Sequence, residues 1–497
     1  MEPFVLEWLN LLLRVAHVIA AIMWIGDSFL FMFMDSHLEP PRRPREGDVL
    51  GELWMTHGGG FYEVVKRRSL AELPERLYWF KWESYTTWIT GFFLLTVVFY
   101  LGGPAMLVDQ GGPLGHWGAV LLSLGLLVGG LTVYQALCRT PLIRAPKLMG
   151  LVGLAAVAGL GWGLQGVLSP RAVFLQVGAM LATIMSSNVL MTIIPAQRHM
   201  LAATRAGQPV DTSYGVRAKQ RSVHNHYLTL PVLFTMLSNH LPGLYGHPQA
   251  WLVLALVVVF AAGVKEVMNR RAGTPLPVAL GTLGALAAAV GLTLPPGGGA
   301  FDPALAEGPK VGFATARRII EARCASCHSD PPADPSFVAP PGGVTFATPE
   351  AIQAQASRVY VRAVRTKTMP LGNLTGMTEE ERRLLGGWIA QGADVQALDS
   401  NQALARELFS ARCALCHGEQ GRGDGSASRT LDPKPRDFGD PAWQASVDDA
   451  SIVRTILQGG AAVGKSPTMP AHPDIEDTPE VLEELVRAIR GFQRGPG

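Results

Sequence analysis

Cys324-Ala325-Ser326-Cys327-His328 and Cys413-Ala414-Leu415-Cys416-His417 repeat one pattern at two places in the chain. The spacing sets two thiols one helical turn apart, where both can add to the vinyl groups of a haem, and the adjacent imidazole becomes the proximal iron ligand. The chemistry is one-electron transfer. These four cysteines leave only Cys138, which reads as an unpaired thiol, so no disulfide framework is available. A zinc ribbon or a thioredoxin-like dithiol also uses Cys-x-x-Cys. The histidine after each pair and the want of matching zinc ligands favour covalent haem at both places.

A thioether opposite the histidine would complete each iron site and raise its potential, which suits an acceptor of electrons. Met369-Pro370 follows the first motif and Met469-Pro470 the second, with Met377 a competitor in the first module. The expected haem-binding set is therefore Cys324, Cys327, His328 and Met369, then Cys413, Cys416, His417 and Met469, the histidines and methionines being the iron ligands. Both modules have the parts of a small helical cytochrome. Ala314 to Arg323 leads into the first motif and Glu379 to Gln391 closes that module; Ala403 to Arg412 and Pro479 to Phe492 do the same for the second.

What stands before these modules is built for a bilayer. The 497 residues are 48% hydrophobic and 16% charged, which is apolar for a soluble chain, and the excess is concentrated in runs of spanning length. These runs fall near 5–34, 79–102, 115–137, 148–168, 172–195, 227–241, 250–268 and 276–294, which predicts eight helices, the sixth short and polar at both ends. The first run lacks a basic start and a small-residue cleavage site, so it reads as a retained helix rather than a signal peptide.

Loop charge orients the bundle, because Lys and Arg collect on the cytoplasmic side. The first loop carries Arg42, Arg43, Arg45, Lys66, Arg67, Arg68 and Arg76; the third Arg139, Arg144 and Lys147; the fifth Arg198, Arg205, Arg217, Lys219 and Arg221; the seventh Arg270 and Arg271. The even loops hold only Arg171. Both chain ends and both haem modules are thus expected outside the cytoplasm, as in a multi-pass protein of the bacterial inner membrane with periplasmic cytochromes. The formal net charge of +2 gives no sign of a nucleic-acid partner. The expected fold is all-α: a transmembrane domain over 1–295, a linker over 296–309, and cytochrome c domains over 310–396 and 401–497.

Ionisable and amide side chains at spanning helices are costly and mark sites. Lys81, Glu83, Asn188, Gln197, Arg198, Arg221, His224, Asn225 and His226 all fall toward cytoplasmic helix ends, near a loop bearing His57-Gly58-Gly59-Gly60. Singly, each is as readily a snorkelling side chain. Together they predict a polar pocket opening to the cytoplasm. Arg14 and His17 lie inside the first helix nearer its outer end, and His240 closes the sixth helix on that side. Such histidines are candidate ligands for a haem b, which would bridge a core ~30 Å thick between pocket and periplasmic haems. The competing reading gives His17 a hydrogen bond within the bundle and places His240 at the lipid interface.

Several stretches carry a family resemblance: Glu7-Trp8-Leu9-Asn10-Leu11-Leu12, Gly51-Glu52-Leu53-Trp54, His57-Gly58-Gly59-Gly60-Phe61-Tyr62, Trp79-Phe80-Lys81-Trp82-Glu83, Ile193-Ile194-Pro195-Ala196-Gln197-Arg198 and Gln220-Arg221-Ser222-Val223-His224-Asn225. With Ala339-Pro340-Pro341-Gly342-Gly343 and Thr368-Met369-Pro370-Leu371-Gly372-Asn373, the chain to about residue 392 closely resembles membrane-bound, cytochrome c-linked urate hydroxylases. The resemblance implies oxidation of urate to 5-hydroxyisourate, with oxygen from water and electrons leaving through the cytochrome to a respiratory oxidase or a soluble acceptor. Members usually end after one cytochrome, whereas residues 401–493 here add a second.

A flat, anionic substrate asks for a cation, edge-reading amides and a proton carrier. Arg198 or Arg221 would hold the anion with a bidentate fork, Gln197 and Asn225 would read ring edges, and His57 or His224 would move protons. A quinol-oxidising or other respiratory-complex subunit is the alternative class, against which the membrane half lacks the paired histidines of a bis-His cytochrome b and the adjacent His-His of a copper oxidase. A passive membrane-anchored shuttle is a third class. For that, eight helices studded with polar residues are excessive.

Overall fold

The computed structural model of the chain describes residues 3–45, 48–68, 74–109, 112–270, 273–294, 301–335, 337, 339–397 and 400–492. Residues 295–300, where the expected linker begins, and Arg271 lie outside the described residues. The chain forms two compact units. The first comprises Met1–Gly298 with Asp330–Gly343 and Val361–Met377; the second comprises Gly299–Ser329, Val344–Tyr360 and Thr378–Gly497.

In the first unit, helix α1 (Pro3–Ser36) leads into an antiparallel hairpin of β1 (Val49–His57) and β2 (Gly60–Arg67). Next come α2 (Trp82–Leu95), α3 (Pro104–Leu107), α4 (His116–Leu137), α5 (Pro146–Gly163), α6 (Pro170–Asn188) and α7 (Ile194–Arg205). Helices α8 (Thr212–Ser238), α9 (Pro242–Tyr245), α10 (Ala250–Met268) and α11 (Leu276–Thr293) complete it. The chain is mostly helical, as expected, and the hairpin is an addition not foreseen from the sequence. Gly58 and Gly59 both hold positive φ (59° and 80°), the conformation of a two-residue turn whose twist matches paired strands, so His57-Gly58-Gly59-Gly60 closes a hairpin instead of forming a loose glycine loop.

Among the described residues six helices are long and apolar enough to cross a bilayer: Phe4–Ser36, His116–Leu137, Pro146–Gly163, Pro170–Arg205, Ala250–Met268 and Leu276–Thr293. The remaining two of the eight expected spans are also helical but more polar. Glu83, Ser84, Thr86 and Thr87 open α2, which continues as a π-helical stretch over Thr96–Tyr100, and Arg217, Lys219, Arg221 and His224 occupy the first half of α8. Large apolar side chains such as Trp117, Leu121, Val128 and Trp162 point outward and are exposed, as lipid-facing residues must be.

Helix α6 is the hub, packing against α2, α4, α5 and α8, and Phe174, Val177 and Leu181 on it join Leu107, Leu127 and Leu254 in the core. Polar bonds cross between helices where no water is at hand. Ser123 Oγ donates to Gln176 Oε1 at 2.6 Å, Gln176 Nε2 returns a bond to Ser123 O at 2.9 Å, and Trp88 Nε1 donates to Thr183 Oγ1 at 3.0 Å. In the same unit the turn Leu371–Asn373, just past Met369, packs on α3 in the loop after α2.

The second unit opens with α12 (Pro303–Ala306), α13 (Phe313–Arg323), α14 (Ala325–His328), α15 (Pro349–Val359) and α16 (Glu379–Ala390). It continues with α17 (Ser400–Leu408), α18 (Ala414–His417), α19 (Pro441–Ser446), α20 (Asp449–Ala462) and α21 (Pro479–Gly491). The leading helix of each haem motif packs on the closing helix of its module, α13 on α16 and α17 on α21. Trp388, 1% exposed, anchors the first module against Phe313. Phe409, Phe438, Ile456, Leu485 and Ile489 form the core of the second.

A capping box starts α16: the Thr378 side chain accepts from Glu381 N and the Glu381 carboxylate accepts from Thr378 N. Burial works against ionisation of Glu381, but the Thr378 bonds and the Arg323 guanidinium at 2.9 Å outweigh it and hold its pKa below the ordinary 4.5. The stabilisation from this carboxylate is therefore complete above the unfolded-state value and is lost as pH falls through the depressed folded value. Glu381→Gln is expected to destabilise the full chain at pH 7, with the gap from wild type closing below pH ~4. Trp388 emission during acid titration reads this directly.

Candidate functional site

Three helices of the first unit bring polar side chains to one buried place. Helix α4 offers Tyr134, Gln135 and Cys138 at its end, α6 offers Asn188 at its last turn, and α8 offers Arg221, His224 and Asn225. Their bonds form a continuous network. Asn188 Nδ2 donates to Tyr134 Oη and to Asn225 Oδ1, each at 2.9 Å, and Asn225 Nδ2 donates to Met185 O at 2.9 Å. Tyr134 Oη lies 2.8 Å from His224 Nδ1. With the His224 proton on Nε2, the Tyr134 hydroxyl donates to Nδ1; with it on Nδ1, the phenol oxygen accepts. Arg221 donates through Nη2 to Gln135 Oε1 at 3.1 Å, with its guanidinium carbon 5.0 Å from the Tyr134 ring centroid.

The helix carrying Asn188 does not run straight on. Val189–Ile193 is a π-helical stretch just before Pro195, which has no N–H to give the ladder, and such bulges in helices mark functional places. Beyond it, Arg198 of α7 is exposed and lines an open cavity of about 720 Å³ with Trp79, Lys81, Leu201, Ala202, Arg205 and Ala206. Lys81 Nζ sits 5.9 Å from the Trp79 ring centroid and 5.6 Å from that of Trp82. Lys81, Arg198 and Arg205 make this cavity cationic, with aromatic rings beside Lys81.

The sequence-predicted residues thus divide. Arg221, His224 and Asn225 meet in the buried network, Arg198 stands in the open cavity with Lys81, and His57 is exposed at the hairpin tip. Gln197 is exposed on α7. Tyr134 and Gln135 were not foreseen. Both lie at the polar end of an otherwise apolar helix, which reads as an interface residue pair until the neighbouring helices are known. Lys265 was also missed. It is fully buried (0% exposed) within spanning helix α10, where its Nζ donates to Met32 Sδ at 2.8 Å over the Phe29 ring.

His17 Nδ1 is 3.0 Å from Thr87 O and 3.1 Å from Thr90 Oγ1, and its ring lies flat against Gly91 of α2, where a Cβ would come within 2.8 Å of Cε1. His240 is exposed at the end of α8. These placements give His17 an interhelical contact through Nδ1 and put His240 at an exposed helix end.

The residues of the two Cys-x-x-Cys-His motifs do fit covalent haem. In each, the second cysteine and the histidine sit on one short helical turn, α14 or α18, with the first cysteine as its N-cap, and the histidine Nδ1 is tied to a backbone carbonyl: His328 to Val344 O at 2.9 Å, His417 to Arg436 O at 3.0 Å. That bond fixes the ring and leaves Nε2 for iron. Phe438 stacks on His417 at 4.4 Å. Burial lowers the His417 pKa, keeping the imidazole in its ligating form. Burial also pushes the Cys324 thiol up to about 12 and Cys413 up to about 11, the opposite of the lowered pKa that marks a reactive thiolate. Met377 is buried at 3% exposure and bonded through its backbone to Asn373, the setting of a core residue, whereas Met369 and Met469 are half-buried.

Residues 402–484 match the cytochrome c family, which covers the second motif. No curated protein and no solved structure matches the chain. Residues 3–293 match the family described as urate oxidase N-terminal, the whole membrane half and more than half of the chain. A helical, multi-pass membrane half of that kind joined to cytochrome c makes the molecule an electron-transfer oxidoreductase, and the chain belongs to the urate oxidase N-terminal family.

Proposed function

We propose that the chain oxidises urate to 5-hydroxyisourate in its membrane half and passes the electrons to c-type haems on the periplasmic face of the inner membrane. The observation that carries this reading is the buried Tyr134–Asn188–Arg221–His224–Asn225 network lying within the family-matched region. The balance is urate plus water giving 5-hydroxyisourate, two protons and two electrons. The new bond joins a water oxygen to C5 of the purine.

The chain's own residues supply what this needs. Trp79, Lys81, Arg198 and Arg205 draw the anion into the open cavity, and Arg221 holds its charge in the buried network. The Tyr134 hydroxyl and His224 form a two-step proton path: a proton arriving at the phenol oxygen is matched by one leaving to His224 Nδ1. Cys324, Cys327 and His328 with Met369, and Cys413, Cys416 and His417 with Met469, would hold two haems. Covalently bound haem accepts electrons one at a time, so two together hold the output of one turnover.

Two observations support the orientation. Positive charge fills the odd loops, and the Leu371–Asn373 turn beside Met369 packs on α3, in an even loop. The downstream acceptor is a respiratory oxidase or a soluble carrier. Turnover in heavy-oxygen water tests the reaction: the label is expected at C5 of the product by mass spectrometry. Product labelled from dioxygen instead would overturn it.

A further inference from the structure

Three atoms of the buried network have been taken out of water without a partner in the fold. Arg221 Nη1, Gln135 Nε2 and Asn188 Oδ1 are each buried and unbonded among the described residues. Arg221 is 7% exposed and Asn188 is 0% exposed, so solvent does not satisfy them from the surface. Their other atoms are committed. Arg221 Nη2 is bound to Gln135 Oε1, and Asn188 Nδ2 to Tyr134 Oη and Asn225 Oδ1.

Buried polar groups are almost always hydrogen-bonded, and three exceptions within one bonded network require a common explanation. The free set is two donors, one of them on a cation, and one acceptor. Its complement is a planar anion whose edge presents two acceptor atoms and one N–H. The urate monoanion has such an edge in O2, deprotonated N3 and N9–H.

We propose that Gln135 and Asn188, together with Arg221, read that edge, which makes Gln135 and Asn188 specificity-determining residues for an oxopurine anion. Gln135 Nε2 and Arg221 Nη1 donate to the two acceptors and Asn188 Oδ1 accepts from the ring N–H. This rests on the urate reading above and adds which edge is bound and by which residues. Xanthine, whose neutral form carries one unprotonated imidazole nitrogen, can offer a lone pair at N9 and is disfavoured opposite Asn188 Oδ1.

The test uses the full-length, haem-loaded protein in lipid nanodiscs, with c-haem reduction read anaerobically against urate and against 9-methylurate, which lacks the N9–H. Wild type is expected to take 9-methylurate at least roughly tenfold less well than urate, a result independent of any variant's folding. Gln135→Glu keeps an acceptor for Arg221 Nη2, replaces the free donor by an oxygen and adds a negative charge that opposes the anion. It is expected to raise the urate KM roughly tenfold with kcat little changed and c-haem content unaltered. Asn188→Ala is expected to shrink the preference for urate over 9-methylurate. Wild type that accepts both purines equally, or an unchanged KM in Gln135→Glu, overturns the proposal while leaving urate oxidation standing. Wild type inert to urate overturns the parent reading and this one with it.

Discussion

Arg221→Ala is expected to lower kcat/KM for urate-driven haem reduction by roughly 100-fold. The loss has two sources. The variant removes a charged hydrogen-bond donor from a place shielded from water, worth about 1.5–3 kcal/mol, and it strands Gln135 Oε1, which has Arg221 as its partner. A combined cost of about 3 kcal/mol corresponds to that fold-change at ~1.4 kcal/mol per decade. Arg198→Ala provides the contrast, because Arg198 is exposed in the open cavity with Lys81 and Arg205. There the loss should be only a fewfold, and it should fade as salt is raised, since exposed charges act over a Debye length of about 10 Å at 0.1 M. Steady-state kinetics at two ionic strengths separates the cation that holds substrate from the one that steers it.

The second large effect concerns the electron exit. Replacing Cys413 and Cys416 together by alanine is expected to halve the covalent haem per chain, because the proposed second haem has those two thiols, at the N-cap of α18 and within it, as its attachment points. Urate should still reduce the remaining haem in a single mixing experiment, while sustained delivery to an external acceptor collapses. Pyridine haemochrome analysis counts the haems, and stopped-flow spectra follow their filling. Equal haem content in variant and wild type would remove the second module from the pathway.

How much of this was legible in the sequence depended on whether the signal was local. Both Cys-x-x-Cys-His motifs carry their chemistry in five consecutive residues, and the structure adds only the carbonyls of Val344 and Arg436 that fix the two imidazoles. Apolar runs located the membrane helices for the same reason: length and hydropathy are properties of one segment. Six stand out as spans, while α2 and α8 lie in the same kind of run but carry polar residues, those of the site on α8 among them, which dilute the signal. His224 and Asn225 were visible because charged and amide side chains are conspicuous near a spanning segment. Gln135 was not, since a lone amide at the end of α4 has no meaning until α8 brings Arg221 to 3.1 Å. His57 misled for the opposite reason. Its glycine neighbours looked like a ligand-binding loop, but two positive-φ residues between strands make a hairpin turn, and the histidine points into solvent there.

Lys265 remains a buried cation with a thioether and an aromatic ring for company, and its place in a spanning helix gives no sequence warning beyond the charge itself. His17 shows the reverse. A histidine inside a membrane helix is conspicuous in the sequence, whereas the Thr87 carbonyl that orients it and the Gly91 that makes room for it belong to another helix.

Anaerobic mixing of the purified full chain with urate, followed at the ferrous c-haem band, tests the central claim most directly. Urate is predicted to reduce the haems with one 5-hydroxyisourate formed per electron pair, and a quinol is predicted to leave them oxidised. Reduction by the quinol and not by urate, or by neither, would contradict urate oxidation as the source of the electrons.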